Sequence, residues 1–241
     1  MKYQVEFFCG SYYDAKQAEY GGASRILLSH HNYQYGLTPS IGEFIKTKEN
    51  TDLEIICMLK PRTHGYCYHD DEIETMFLDA EILLDNGTSG IAFGFLDFEK
   101  DIDIKQTKKM IDLIHSYHKK AFFNQAINFV DDIDYAMNIL ITLGIDGVYT
   151  KGLQKDIILG KEMIKYLQSA YGEHLEIIPM YSLDLEPIQY MKNTGCYIIQ
   201  CLCLDDYLDP STNNENLAVS WERVESIVKD IEEDIYDFEL T

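Results

Sequence analysis

The chain has 241 residues, 46% of them apolar, with 15 Gly and 5 Pro. This composition excludes a disordered or collagen-like polymer and suits one domain, 1–241, with a sizeable core. Subtracting 41 acidic from 20 basic residues leaves a formal charge of −21, which repels phosphate backbones and anionic bilayers, so neither nucleic acid nor a membrane is an expected partner. The N-terminal MKYQVEFFCG has no secretory h-region, and no stretch approaches the ~20 apolar residues that span a bilayer. A cytoplasmic protein with reduced cysteines is expected.

Along the chain, β-prone apolar runs alternate with amphipathic segments. The strand candidates are VEFF near 5, RILL near 25, EIICML near 54, GIAFGFL near 90, AFFNQAI near 121, GVYT near 147, EIIPMY near 176 and YIIQCLCL near 197. Helix candidates cover 11–21, 40–48, 70–86, 103–118, 131–143, 155–171, 184–193 and 219–236. Eight βα pairs at this length predict an α/β fold, a single (β/α)8 TIM-type barrel. Ser40 with Glu43 forms a capping box, and Asp131 or Asp132 opens an apolar stripe of Ile133, Met137 and Leu140. Gly87, Gly144 and Gly195 stop helices before the next strand. The polar stretch 204–220 reads as a loop, either a lid or a connection to the last helix.

After the second strand comes Gly36-Leu37-Thr38-Pro39-Ser40. Gly36 permits a turn, Pro39 fixes φ near a helix start, and Thr38 or Ser40 caps that helix. Around it lie Val5-Glu6, Gly22-Ala23-Ser24-Arg25-Ile26, Met58-Leu59-Lys60-Pro61-Arg62, Tyr66-Cys67-Tyr68, Gly90 to Asp97 and Thr150-Lys151-Gly152. In order and spacing these segments resemble the CutC copper homeostasis family over essentially the whole chain. The resemblance implies a barrel, a link to copper homeostasis and copper as the cofactor class, with no settled reaction to carry over.

Departures from the family pattern are concentrated at the ends of strands. Phe8 and Ser29 stand where some members offer a cysteine pair for Cu(I), and Leu27 replaces a carboxylate. Asn124, Gln125 and Asn128 replace His, Arg and Asp, Gln200 replaces a histidine, and Lys60 replaces an arginine. Tyr181, Ser182 and Leu183 stand at the strand-7 glycines. Neutral amides have no pKa near neutrality, so proton transfer at Asn124 is lost. The pattern therefore implies a divergent site, either degenerate and noncatalytic or respecialised.

Barrel enzymes place chemistry at the C-terminal ends of strands, which makes Glu6, Arg25, Lys60, Arg62, Asn124, Thr150 and Gln200 the candidate ligand-binding residues. Glu6 and Arg25 suit either ligand contact or an internal ion pair. Lys60 and Arg62 suit a clamp on a carboxylate or phosphate, unless Arg62 pairs with a nearby acid. This supports an alternative reading, an aldolase- or isomerase-type enzyme or a binding protein for a small anionic metabolite. Lys151 suits a Schiff-base amine or an exposed loop lysine. His30, His31 and Cys9 offer metal ligands only if others converge. Cys201 and Cys203 share one strand face and suit small buried hydrophobes. Tyr12, Tyr13 and the 33–35 stretch suit ligand stacking or a homodimer contact.

Overall fold

The computed structural model describes residues 3–30, 36–182, 186–208, 210–211 and 215–239. Eight parallel strands close into a barrel in sequential order: β1 Gln4–Cys9, β2 Arg25–Leu28, β3 Glu54–Met58, β4 Gly90–Phe93, β5 Lys120–Phe123, β6 Gly147–Thr150, β7 Glu176–Ser182 and β8 Ile198–Cys201. Eight α-helices follow them: α1 Tyr12–Tyr20, α2 Ile41–Asn50, α3 Asp70–Asp85, α4 Ile104–Ser116, α5 Ile133–Leu143, α6 Lys161–Tyr171, α7 Pro187–Thr194 and α8 Trp221–Glu239. This is the (β/α)8 arrangement that the alternating sequence pattern implies. β1 pairs with both β2 and β8, so no strand edge is left open in the ring.

Alternation along each strand divides the core in two. Phe8, Leu27, Ile56, Met58, Ala92, Phe122, Tyr149, Ile178, Met180 and Ile198 fill the barrel interior. Their neighbours on the other face, such as Phe7, Ile26, Ile55, Cys57, Ile91, Phe123 and Val148, pack against the helices. Both faces of the strands are thus largely apolar, apart from inward positions such as Glu6, Arg25 and Gln200, which explains why the strands read as nearly continuous hydrophobic runs.

Local signals account for most boundaries. Ser40 accepts from the Glu43 backbone N–H, while the Glu43 carboxylate reaches the backbone N–H of Tyr12 instead of closing the capping box. Asp132 caps α5 through the Tyr135 N–H. Gly144 and Gly195, at φ 87° and 80°, end α5 and α7 in the left-handed region. Thr38 is no cap. It stitches the loop to the end of β3, exchanging hydrogen bonds with the Lys60 backbone at 2.9, 3.0 and 3.2 Å.

Three expectations need correction. The AFFNQAI run is not one strand: β5 stops at Phe123, and Asn124 caps a 3-10 turn over Gln125–Phe129. Helix α6 starts at Lys161, not near 155, because Gly160 packs so closely on the Lys151 carbonyl that a Cβ there would lie 1.9 Å from it. The polar stretch 204–220 contains an antiparallel pair, β9 Leu204–Leu208 and β10 Glu215–Val219.

This hairpin docks on α1 through one buried carboxylate. Asp14 accepts from Gly10 N–H and from Val219 N–H, each at 2.9 Å. Tyr20 meets Trp221 edge-on with centroids 5.1 Å apart beside it. Replacing Asp14 with Ala strands two N–H groups, so a loss of about 2–4 kcal/mol is expected. Urea unfolding measures that loss, and hydrogen exchange should show β9 and β10 losing protection before the barrel strands do.

Candidate functional site

Buried and part-buried charged and polar side chains on five strands of the barrel form one network. Arg25 opens β2, and its side chain is 1% exposed. Its Nε donates to Glu6 Oε2 at 2.8 Å and its Nη1 to Glu176 Oε2 at 2.9 Å. Tyr149 OH donates to the same Glu6 oxygen at 2.8 Å, and Gln200 Nε2 donates to Glu6 Oε1 at 2.7 Å. Glu176 also receives Lys120 Nζ at 2.9 Å, where β5 and β7 begin.

Sterics explain how an arginine fits inside. Its guanidinium carbon lies 4.9 Å from the centroid of the Phe122 ring. That ring has space because Gly90 and Gly147 carry no Cβ; one at Gly147 would sit 2.8 Å from Phe122 Cδ1, and one at Gly90 3.1 Å from Cε2.

Hydrogen-bond accounting fixes the charge state. Three donors converge on Glu6, and a carboxylate serves all three only as an acceptor, which means ionised. Burial pushes its pKa up, while Arg25, Gln200 and Tyr149 oppose that rise. Burial alone would lower Arg25, but the charges of Glu6 and Glu176 outweigh it and hold the guanidinium charged.

Glu6, Arg25 and Gln200 are therefore brought together, but below the mouth. Arg25 is the first residue of its strand, and Glu176 and Lys120 also open theirs, so this network sits toward the N-terminal floor. Of the two roles open to Glu6 and Arg25, the geometry forms the internal ion pair.

Nearer the mouth the interior turns apolar and amidic. Phe8, Met58 and Met180 line it with Asn124. Asn124 Oδ1 accepts from Ala126 N–H at 2.9 Å, and its Nδ2 faces Met58 Sδ at 3.9 Å. A Cβ at Gly94 would come within 2.4 Å of Asn124 Oδ1, so this amide occupies the space that the glycine leaves. Ser29 is buried beneath Gly36, whose φ of 65° and missing Cβ allow the loop to close over Ser29 and Phe8.

Lys60 and Arg62 do not form a clamp. Arg62 is half-exposed and turned to α3: Nε meets Glu72 Oε1 at 2.5 Å, Nη2 donates to the Cys67 carbonyl at 2.8 Å, and Nη1 donates to the His64 carbonyl. Lys60 is 1% exposed. Its Nζ donates to the Thr63 carbonyl at 2.8 Å and lies 4.7 Å from the Tyr66 ring centroid. Burial, with Arg62 nearby, pulls this amine down to about 8.

Thr150 ends β6 on the face opposite Tyr149, away from the interior. Its hydroxyl donates to Asn128 Oδ1, which also accepts from Lys151 N–H. Asn128 thus organises the loop after β6, a role its position in the amide run gave no reason to assign. Lys151 is half-buried, and burial lowers its amine against the opposing charge of Asp156. Tyr149 and Glu176 complete the buried network but were missed as candidates; their signal was a tyrosine and a glutamate on inward-facing strand positions.

The thiols lie outside the barrel interior. Cys9, Cys201 and Cys203 are buried in the layer between strands and helices. Burial pushes Cys9 far up, with Asp14 and Cys203 adding to the effect, and Cys203 rises to about 12. Among the described residues no group of three or more His, Cys, Asp or Glu side chains converges as a metal site. His31, the 33–35 tyrosines and Leu183 lie outside the described residues.

Two outcomes follow. Glu6→Gln leaves Arg25 without its buried charge and should cost about 3–5 kcal/mol, whereas a Glu6→Leu, Arg25→Met double variant should recover most of that in denaturant unfolding. Lys60 is lowered from 10.5 to about 8 on folding, so between those values the unfolded chain binds more protons and the contribution of Lys60 to stability rises with pH. Lys60→Met should remove that rise, measured as the wild-type-minus-variant difference in unfolding free energy across this pH window.

The model of the CutC family matches residues 3–199. A family protein CutC from Treponema denticola is 35% identical over 210 residues, covering 87% of this chain and 85% of its own. A protein named copper homeostasis protein cutC homolog, from Drosophila melanogaster, is 28% identical over 90% of this chain and 85% of its own. The crystal structure of a CutC protein from Streptococcus agalactiae superposes with a TM-score of 0.76 at 20% identity, over 83% of this chain and 98% of that one. A closed eight-stranded barrel matched by the family model over most of its length places this chain in the CutC family.

Proposed function

We propose that this protein is a cytoplasmic barrel that handles copper as cargo, and that its interior does not run acid–base turnover. One observation carries the second half: Glu6, the buried carboxylate of the interior, already receives Arg25, Tyr149 and Gln200. A base needs a lone pair facing a substrate proton, and Glu6 has three of its roughly four lone-pair sites taken and lies at the floor, away from the mouth. Asn124 and Gln200 add fixed amide contacts and no titrating group. The Arg62 fork, bound to Glu72 and two carbonyls, weighs against an anion clamp.

The copper half rests on the relatives' name and on the soft donors present. Cys9 at the end of β1 and Cys203, two residues past β8, are buried and close enough to interact electrostatically, and two thiolates suffice for two-coordinate Cu(I). Loading must release thiol protons that burial holds tightly, so binding should strengthen with rising pH. Anaerobic Cu(I) titration against a competing chelator tests this. At least a tenfold loss of affinity is expected in a Cys9→Ser, Cys201→Ser, Cys203→Ser variant; equal affinity in the two proteins sinks the copper reading.

A further inference from the structure

Lys60 has no part in that reading, yet it is the most unusually placed amine in the described barrel. It lies two residues beyond Met58, so strand alternation carries it along the inward face of β3 toward the C-terminal mouth. Thr38 holds its backbone N–H and carbonyl from the neighbouring loop, and Pro61 stiffens the chain after it. The side chain is thus aimed by a fixed frame.

Its Nζ donates to the Thr63 carbonyl oxygen and faces the Tyr66 ring. Near pH 8 the neutral amine and the ammonium are present in comparable amounts, since burial and Arg62 bring the group down to about 8. An amine in this state keeps a nucleophilic lone pair that an exposed lysine lacks. One residue layer below, Asn124 Nδ2 is a buried donor whose acceptor is a thioether sulfur at 3.9 Å, a weak partner. An oxygen on a bound molecule would satisfy that donor better.

We propose that Lys60 captures a small carbonyl compound as a reversible imine at the barrel mouth. The Nζ lone pair adds to the carbonyl carbon, and the oxygen takes a proton, giving a carbinolamine. Loss of water from it leaves the C=N bond, so one amine and one carbonyl yield one imine and one water, with no oxidant or reductant. Lys151, whose amine burial also lowers, serves as the internal comparison.

The full-length protein is incubated with pyruvate or, separately, glycolaldehyde, reduced with sodium borohydride and peptide-mapped. Lys60 should be labelled about tenfold faster than the average lysine, with a rate that rises with pH through about 8. Lys60→Arg, which keeps the charge but forms no imine, should lose the fast label, and Lys151→Arg should keep it. Preference for pyruvate assigns a carboxylate-bearing carbonyl; preference for glycolaldehyde assigns an uncharged one. Label spread evenly over the lysines of the wild-type protein, or concentrated on Lys151, overturns the proposal. Cu(I) affinity should be unchanged in Lys60→Arg, so this proposal and the copper reading fail separately.

Discussion

A charge buried inside a closed barrel constrains everything around it, and here that charge is the Glu6–Arg25 pair. Neither side chain is more than 1% exposed. Removing two ions from water costs several kcal/mol each, and their attraction offsets this only when every remaining donor and acceptor is placed. The sequence meets most of that demand with Tyr149 from β6, Gln200 from β8 and Glu176 from β7, leaving only Arg25 Nη2 and Gln200 Oε1 of the network without a hydrogen-bond partner. Five strands thereby meet at one ion pair, with Tyr149 and Gln200 held by Glu6 and Glu176 held by Arg25. A slip of one residue in any of them would turn its partner outward, so the network specifies the register of the closed sheet more than it adds stability.

Above that floor the interior is governed by shape. Gly90 and Gly147 make space for Phe122, Gly94 for the Asn124 amide, and Gly36 for Ser29 and Phe8. Each glycine faces a bulky or polar group, so volume is exchanged across the barrel at constant packing density. The mouth is held by backbone as much as by side chains, with Thr38 tying the loop after β2 to the end of β3.

The fold was legible because both of its periods were present: continuous apolar runs for strands buried on two faces, and capped amphipathic segments between them. Asn124 shows where that legibility ends. Its position after AFF suggested a continuing strand, but a side-chain oxygen within reach of its own backbone two residues on favours a turn. The site was read less well for a related reason. Residue type marks Glu6, Arg25 and Gln200 as polar and inward, but height along the barrel depends on register between strands, which a single strand does not carry. Arg62 posed a choice between two acidic partners, a ligand or a neighbour, and it pairs with Glu72, ten residues on in the first turn of α3 and outside the Met58–Arg62 motif. Thr150 was assigned to the mouth on position alone, and one step of strand alternation moved it to the other face.

Asp14 links Gly10 to Val219, which lies 205 residues further along the chain than the carboxylate itself. Contacts of such sequence separation form only after a long loop has been closed, and they slow folding in proportion to their share of the whole. On a ribosome the first helix would emerge early with its carboxylate able to take the Gly10 N–H, and its second oxygen would wait for Val219 until the hairpin followed. The hairpin that follows β8 thus arrives at a receptor built by β1 and α1, and closure of the barrel and docking of the hairpin become nearly the same event.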